Sequence, residues 1–178
     1  MYVVRTVNEP LFQGDLIADF PVVLGPESEL EIVYYDDVGT RPCTATIHKA
    51  AEIPDAFGSG LEKVVVSANK SLVMVLSHTC DIGHRELIAI APVFPLKNIS
   101  NRDQRRSVTE YRTNFRFPLP SYGNVIEDSY VDFTIINTVK AGSISKASRI
   151  LSLDEHGHSL LADNLYRYFC RPVLPEMS

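Results

Sequence analysis

The sequence predicts a mainly β protein, a small and mostly antiparallel barrel closed by one C-terminal helix. Three observations carry this reading. Short β-branched and aromatic runs, divided by Gly, Pro, Asn and Asp clusters, fill the first half of the chain. Two of those runs, LVMVLS at 72–77 and ELIAIAPV at 86–93, are apolar on both parities, the pattern of strands buried on both faces. A sustained 3.6-residue apolar pattern comes last, after Ser152.

In chain order, GDLIADF at 14–20 is the first predicted strand and ELEIVYY at 29–35 the next, ending at Asp36-Asp37-Val38-Gly39. Residues 43–48 alternate partly, with Thr44 and Thr46 offering β-branched side chains. AFGSG at 56–60 is a loop; KVVVSA at 63–68 and LVMVLS at 72–77 then form a hairpin turning through NKS. Residues 86–93 make the next strand. The polar stretch from Asn98 to Thr113 suits an exposed helix or loop, and FRFPLP at 115–120 is extended because its prolines disfavour helix. SYVDFTIINTVK at 129–140 reads as one strand with Val131, Phe133 and Ile135 on a buried face. The barrel thus covers about 12–140, with a polar excursion at about 97–116. The helix covers about 153–170. Ser152 and Glu155 have the spacing of a capping box, and Leu161, Leu165 and Phe169 recur on one side with Leu160 and Tyr168. Arg167 and Arg171 suit the negative end of the helix dipole, and Pro172 stops it.

A length of 178 residues fits a single domain, 1–178, or one with an appendage. With 45% hydrophobic and 22% charged residues the composition is globular, not disordered. No apolar run approaches the roughly 20 residues that span a bilayer, and Met1 to Pro10 lacks the apolar core of a secretory signal. No membrane partner and a cytoplasmic location are therefore expected. Cys43, Cys80 and Cys170 are odd in number, widely spaced and without a CxxC pair, which points to free thiols in a reducing compartment. The net charge of −5 excludes a uniformly basic nucleic-acid binder, yet residues 97–116 sum to +4. Within that strip Arg102, Arg105, Arg106, Arg112 and Arg116 interleave with Tyr111, Phe115 and Phe117, and arginine forks beside aromatic faces suit single-stranded nucleic acid. A solvated helix with a few core aromatics at its end fits the same residues.

The densest chemistry lies between the two apolar strands, in Ser77-His78-Thr79-Cys80-Asp81 and His84. On a strand, His78 and Cys80 share a face, so the imidazole can activate the thiol while Asp81 orients an imidazole. The plain alternative is a buried cysteine followed by an Asx turn. His78, Cys80 and His84 have zinc-ligand chemistry, with Asp81, Cys43, His156 or His158 available as a fourth ligand, but the spacing matches no zinc ribbon, and no cofactor is expected. His48 reads as a strand-surface residue. The thiol–carboxylate bend is expected to open onto the arginine strip.

GDLIADF, LVMVLSHTCDI and LIAIAP stand in the order of the strand motifs of the MazF/PemK-type toxins, which this chain resembles. The resemblance implies an SH3-like barrel, usually a dimer, that binds or cleaves single-stranded RNA in a toxin–antitoxin or phage-defence setting. Gly39-Thr40-Arg41-Pro42 is similar to the loop carrying the catalytic arginine of those toxins, which implies that Arg41 stabilises phosphate charge and that His78 or Asp81 acts as base. Two departures stand out. About thirty residues separate Pro42 from Leu72, and Val93-Phe94-Pro95-Leu96 lacks the hydroxyl that follows the toxin strand, leaving Ser100 as the nearest candidate. SHTCDI, IAIAPV, FPLP, YVDF and LYRYFCRP also resemble, in order over 72–172, a family of uncharacterised bacterial proteins from mobile-element or conflict loci whose motif is S/T-Q-x-C-D, with His78 in place of Gln. An RNA or nucleotide ligand follows from the first resemblance. The acidic balance and the missing hydroxyl favour instead a non-enzymatic module that binds a protein or a small molecule.

Overall fold

The computed structural model describes residues 1–22, 31–34, 46–49 and 69–170. Arg41, Cys43, the 56–60 loop and the expected strand at 63–68 lie outside them, as do Arg171 and Pro172. The chain divides into two compact units, Met1–Phe20 with Lys70–Ser178, and Pro21–Asn69. Among the described residues of the second unit, β3 (Glu31–Tyr34) and β4 (Thr46–Lys49) form an antiparallel pair, Glu31 opposite Lys49.

The main sheet is antiparallel and has eight strands among the described residues, with β1 (Tyr2–Val3), β10 (Arg149–Leu153), β2 (Asp15–Val22), β5 (Asn69–Val75), β6 (Leu87–Pro95), β8 (Ser129–Asp132) and β7 (Arg116–Leu119) side by side in that order. The eighth, β9 (Asn137–Lys140), also pairs with β6. The strands at 14–20, 86–93 and 115–120 fall where the sequence puts them. Residues 69–71 do not turn; they open β5, whose Val73, Met74 and Val75 are fully buried.

A closed barrel is not what these strands make. No backbone ladder joins β1 to β7 among the described residues, and β7 supplies the reason. Phe115 O accepts from Phe133 N–H, so odd-numbered residues of β7 face β8 and even-numbered ones face the open side. On that side Pro118 has no N–H to give, and the Arg116 carbonyl is taken by the Thr113 hydroxyl at 3.1 Å. The gap is spanned by a side chain instead, Tyr2 Oη donating to Pro120 O at 2.8 Å, with the Tyr2 and Tyr122 rings 5.5 Å apart.

The single strand expected over 129–140 is also broken. β8 and β9 both run antiparallel to β6, but in different registers: Val93 faces Val131 and Ile90 faces Asn137, which leaves three extra residues on the outer strand. Leu96 N–H and Glu86 O both bond toward this side, so even-numbered residues of β6 face β8 and β9. Pro92 is even-numbered and has no N–H there. The partner chain leaves the ladder opposite it as a 3₁₀ turn, Phe133–Ile135, in which Asp132 Oδ1 accepts the Thr134 N–H at 3.0 Å.

The C-terminal helix, α3 (Glu155–Cys170), begins two residues later than expected and is not capped by Ser152. Ser152 lies in β10, buried, and donates its hydroxyl to Asp15 Oδ1. Asp154 caps the helix, its Oδ1 accepting Gly157 N–H at 2.8 Å. The inner face runs Gly157, Leu161, Asn164, with Tyr168 against the core, whereas Phe169 points to solvent at 67% exposure. Gly157 is required at its place, because a Cβ there would lie 2.9 Å from Met1 O and 3.1 Å from Leu153 Cβ. Leu161 joins Leu16, Met74, Val131 and Phe133 in the main core. A smaller cluster of Ile99, Val108 and Tyr130 lies under α2 (Arg102–Thr109), the helix of the polar excursion. No helix among the described residues is long and apolar enough to cross a membrane.

Candidate functional site

The bend between β5 and β6 is held by the side chains that looked chemical. A single helical turn, α1 (Thr79–Ile82), starts at His78, whose Nδ1 accepts the Cys80 N–H at 3.3 Å. Ser77 Oγ accepts Ala89 N–H at 2.8 Å, and Thr79 Oγ1 accepts Gln13 N–H at 3.1 Å. Asp81 forms no Asx turn; its Oδ1 pairs with Arg85 Nε at 3.3 Å on the surface. Ser77, His78 and Thr79 each satisfy a backbone donor, and Asp81 a neighbouring charge. His78 and Cys80 do not share a strand face, because the strand ends at Val75. Cys80 is free and exposed rather than buried, as is Cys170. Among the described residues no three His, Cys, Asp or Glu side chains group to hold a metal ion, so His78, Cys80 and His84 are not gathered as ligands.

The bend does not open onto the arginines either. α1 sits at the Leu87 end of β6, while α2 follows the Pro95 end. The nine residues of β6, eight rises of about 3.3 Å each, separate the two corners by about 26 Å along the strand.

The far corner is built around α2. Asn101 caps it, Oδ1 accepting N–H from Asp103 at 2.8 Å and Gln104 at 3.0 Å. It ends in a Schellman motif: Arg112 N–H bonds Ser107 O at 2.8 Å, Tyr111 N–H bonds Val108 O at 3.0 Å, and Tyr111 takes the left-handed φ of 56° usually left to glycine. Tyr111 accepts this because its ring packs edge-on against Phe117, 5.9 Å away, and burial pushes its phenol pKa up. Arg167 Nη1 donates to Tyr111 O at 3.1 Å and Asn164 Nδ2 to Thr113 O at 3.2 Å, tying the turn to α3.

The five arginines of the strip are not equivalent. Arg106 and Arg112 both pair with Glu110, at 2.7 and 2.8 Å, and these bonds hold its carboxyl below the usual range. Arg116 pairs with Asp132 at 3.3 Å and lies over two rings, 5.1 Å from the centroid of Phe115 and 5.0 Å from that of Tyr130. Arg102 and Arg105 have no acidic partner among the described residues, and Arg105 Nε is buried without a hydrogen bond. Two concavities flank the helix. One, of about 430 Å³, is lined by Asn101, Asp103, Gln104, Ser107, Thr113, Phe115 and Arg116. The other, of about 530 Å³, is lined by Leu96, Lys97, Arg105, Ser121, Gly123, Asn124, Ile126, Glu127 and Asp128. Ser100 is exposed and lines neither.

The groove residues Asn101, Gln104, Ser107 and Thr113 were missed in the sequence, although Asn before a polar helical run is a cap signal that locates the groove's rim. Comparison with known proteins adds no relative: no family model matches the chain, and a search of curated proteins returns no match.

Proposed function

We propose that this protein is a cytoplasmic, non-enzymatic binding domain for single-stranded RNA or a nucleotide, and that the ligand lies against the α2–β7 corner. The observation that carries this reading is the Phe115–Arg116 platform. An aromatic ring at 36% exposure, with a guanidinium stacked beside it, borders a groove of amide and hydroxyl side chains. A base offers a flat π face and edge donors and acceptors, which are what a ring, Asn101, Gln104, Ser107 and Thr113 complement. The motif order that resembles the MazF/PemK barrels supports RNA as the ligand class and a conflict or regulatory setting. The free, exposed Cys80 and Cys170 suit a reducing compartment. Binding is preferred to cleavage because the imidazole and the carboxylate of the α1 corner are occupied in holding the bend, about 26 Å along β6 from the arginines.

Fluorescence anisotropy of a labelled, mixed-sequence single-stranded RNA tests this. Saturable binding that weakens as salt rises, with the RNA recovered intact, is expected. Absence of binding at low salt and high protein concentration refutes it. A second reading, a protein-binding face, is favoured by the closed pairs of Arg106 and Arg112 with Glu110, which leave less bare charge for phosphate than the sequence suggests. That reading gains if RNA fails to bind.

A further inference from the structure

The clefts on the two sides of α2 differ in kind. Around the helix, at 3.6 residues per turn, Gln104 and Ser107 lie on one side of buried Val108 and Arg105 on the other. The first side leads to Phe115, the second into the cleft of about 530 Å³. In that second cleft Lys97 is bound to both oxygens of Glu127, at 2.8 and 2.9 Å. Asp128 Oδ1 accepts Ser121 N–H at 2.7 Å. Of its two cations, Arg105 has no acidic partner among the described residues, and its Nε is buried without a hydrogen bond among them. Arg102, also without an acidic partner among the described residues, is exposed on the Arg105 side of the helix.

We infer that the ligand is an oligonucleotide, not a single nucleotide, and that its strand crosses α2. A base stacks at Phe115, a phosphate passes the exposed Arg102 beyond the crest, and a phosphate further along is bound by Arg105 in the second cleft. This rests on the RNA-binding reading and goes beyond it in naming the length class and the second subsite. The physical ground is distance and charge. A helix with its side chains is about 10–12 Å across, and one nucleotide does not carry its own phosphate around that ridge. Asp128 also makes the second cleft a poor host for a free anion. A phosphate is held there when the rest of the strand is already bound and raises its local concentration.

The test is displacement of a labelled nine-nucleotide oligouridylate by unlabelled uridine 5′-monophosphate, the trinucleotide and the nonamer. The trinucleotide and nonamer are expected to displace at concentrations at least about tenfold lower than the monophosphate. Arg105→Gln is expected to remove most of the trinucleotide's advantage, leave the monophosphate unchanged, and lower the salt slope for the nonamer by about 0.7. Arg105→Lys restores most of the advantage, and Arg85→Gln, the same charge change at the opposite corner, has no effect on it. The inference is overturned if the monophosphate competes as well as the trinucleotide, or if Arg105→Gln behaves like Arg85→Gln. A nonamer that binds in either of those cases leaves the RNA-binding reading standing; a nonamer that does not bind removes both.

Discussion

Arg149 and Arg105 make a useful pair. Each buries its Nε without a hydrogen bond among the described residues. Their remaining nitrogens differ. The Arg149 side chain is 1% exposed; Nη1 bonds Asp15 Oδ2 at 2.9 Å and Pro10 O at 2.7 Å, and Nη2 bonds Thr6 O and Glu9 O. Asp15, fully buried, also takes the Phe12 N–H at 2.9 Å and the Ser152 hydroxyl. In that region both Nη groups find acceptors, and the ion pair fastens residues 6–12 to β10 and β2. Arg105 finds no acceptor for its Nε and no acidic partner among the described residues. One arginine spends its Nη groups within the fold, and the other has no acidic partner among the described residues.

The comparison breaks most visibly at Arg149. Arg149→Met leaves Asp15 charged and uncompensated, and a loss of about 3–5 kcal/mol is expected, read as a lowered urea midpoint at constant slope. Adding Asp15→Asn, which keeps an acceptor without the charge, recovers part of it. An Arg149→Met protein as stable as wild type contradicts the account of the buried pair. Next in size is Phe115→Ala. Loss of one stacking platform weakens RNA binding by about 1–3 kcal/mol while the melting temperature holds, because the ring is partly exposed; equal affinity removes the platform from the site. Asn101→Ala, which strips the cap from α2, is expected to cost about 1 kcal/mol of stability, seen in a thermal melt.

A pH effect comes next and belongs to the Arg149 region. Burial, with nearby Arg5, holds the His158 imidazole below its ordinary value of 6.5. The Leu153 carbonyl, Asp15 and Asp154 pull the other way. A depressed folded value means that the unfolded chain takes up the proton first, so this stabilisation is whole above pH 6.5 and is lost as pH falls through the folded value. A plot of melting temperature against pH from 7 to 5 should therefore slope less steeply in His158→Gln than in wild type. The smallest effect is expected at Cys80→Ser, within about 0.5 kcal/mol in stability and without change in RNA affinity, since the exposed thiol supports neither region.

Much of the sheet was legible because burial on both faces writes itself into 72–77 and 86–93 as unbroken apolar text. The breaks were not, because each depends on a partner strand. Pro92 reads as an ordinary strand residue until β8 and β9 are placed beside it. Ser152 followed by Glu155 has the spacing of a cap, but its hydroxyl goes to Asp15, distant in sequence and adjacent in space. Phe169 fits an i, i+4, i+8 stripe that the inner face of Gly157 and Asn164 rotates away from the core. At the candidate site the arginine strip was visible and its pairing was not: Glu110 was counted as one charge against the strip, while in the fold it engages Arg106 and Arg112 together. At the α1 corner the residues that suggested chemistry also hold the bend, for a general reason. His, Thr, Ser and Asp serve tight bends through the same donors and acceptors that serve catalysis.

The turn opposite Pro92 also bears on how the native state opens. β9 meets β6 only over Leu87–Ile90, and β8 meets it over Val93–Pro95, with no shared rung between them. The outer strand is therefore two short zips, not one long zip, and each can release its amides while the other stays fastened. Deuterium uptake should show the amides of 137–140 exchanging through a smaller fluctuation than those of 129–132, where β8 is flanked on both sides and its residues are buried.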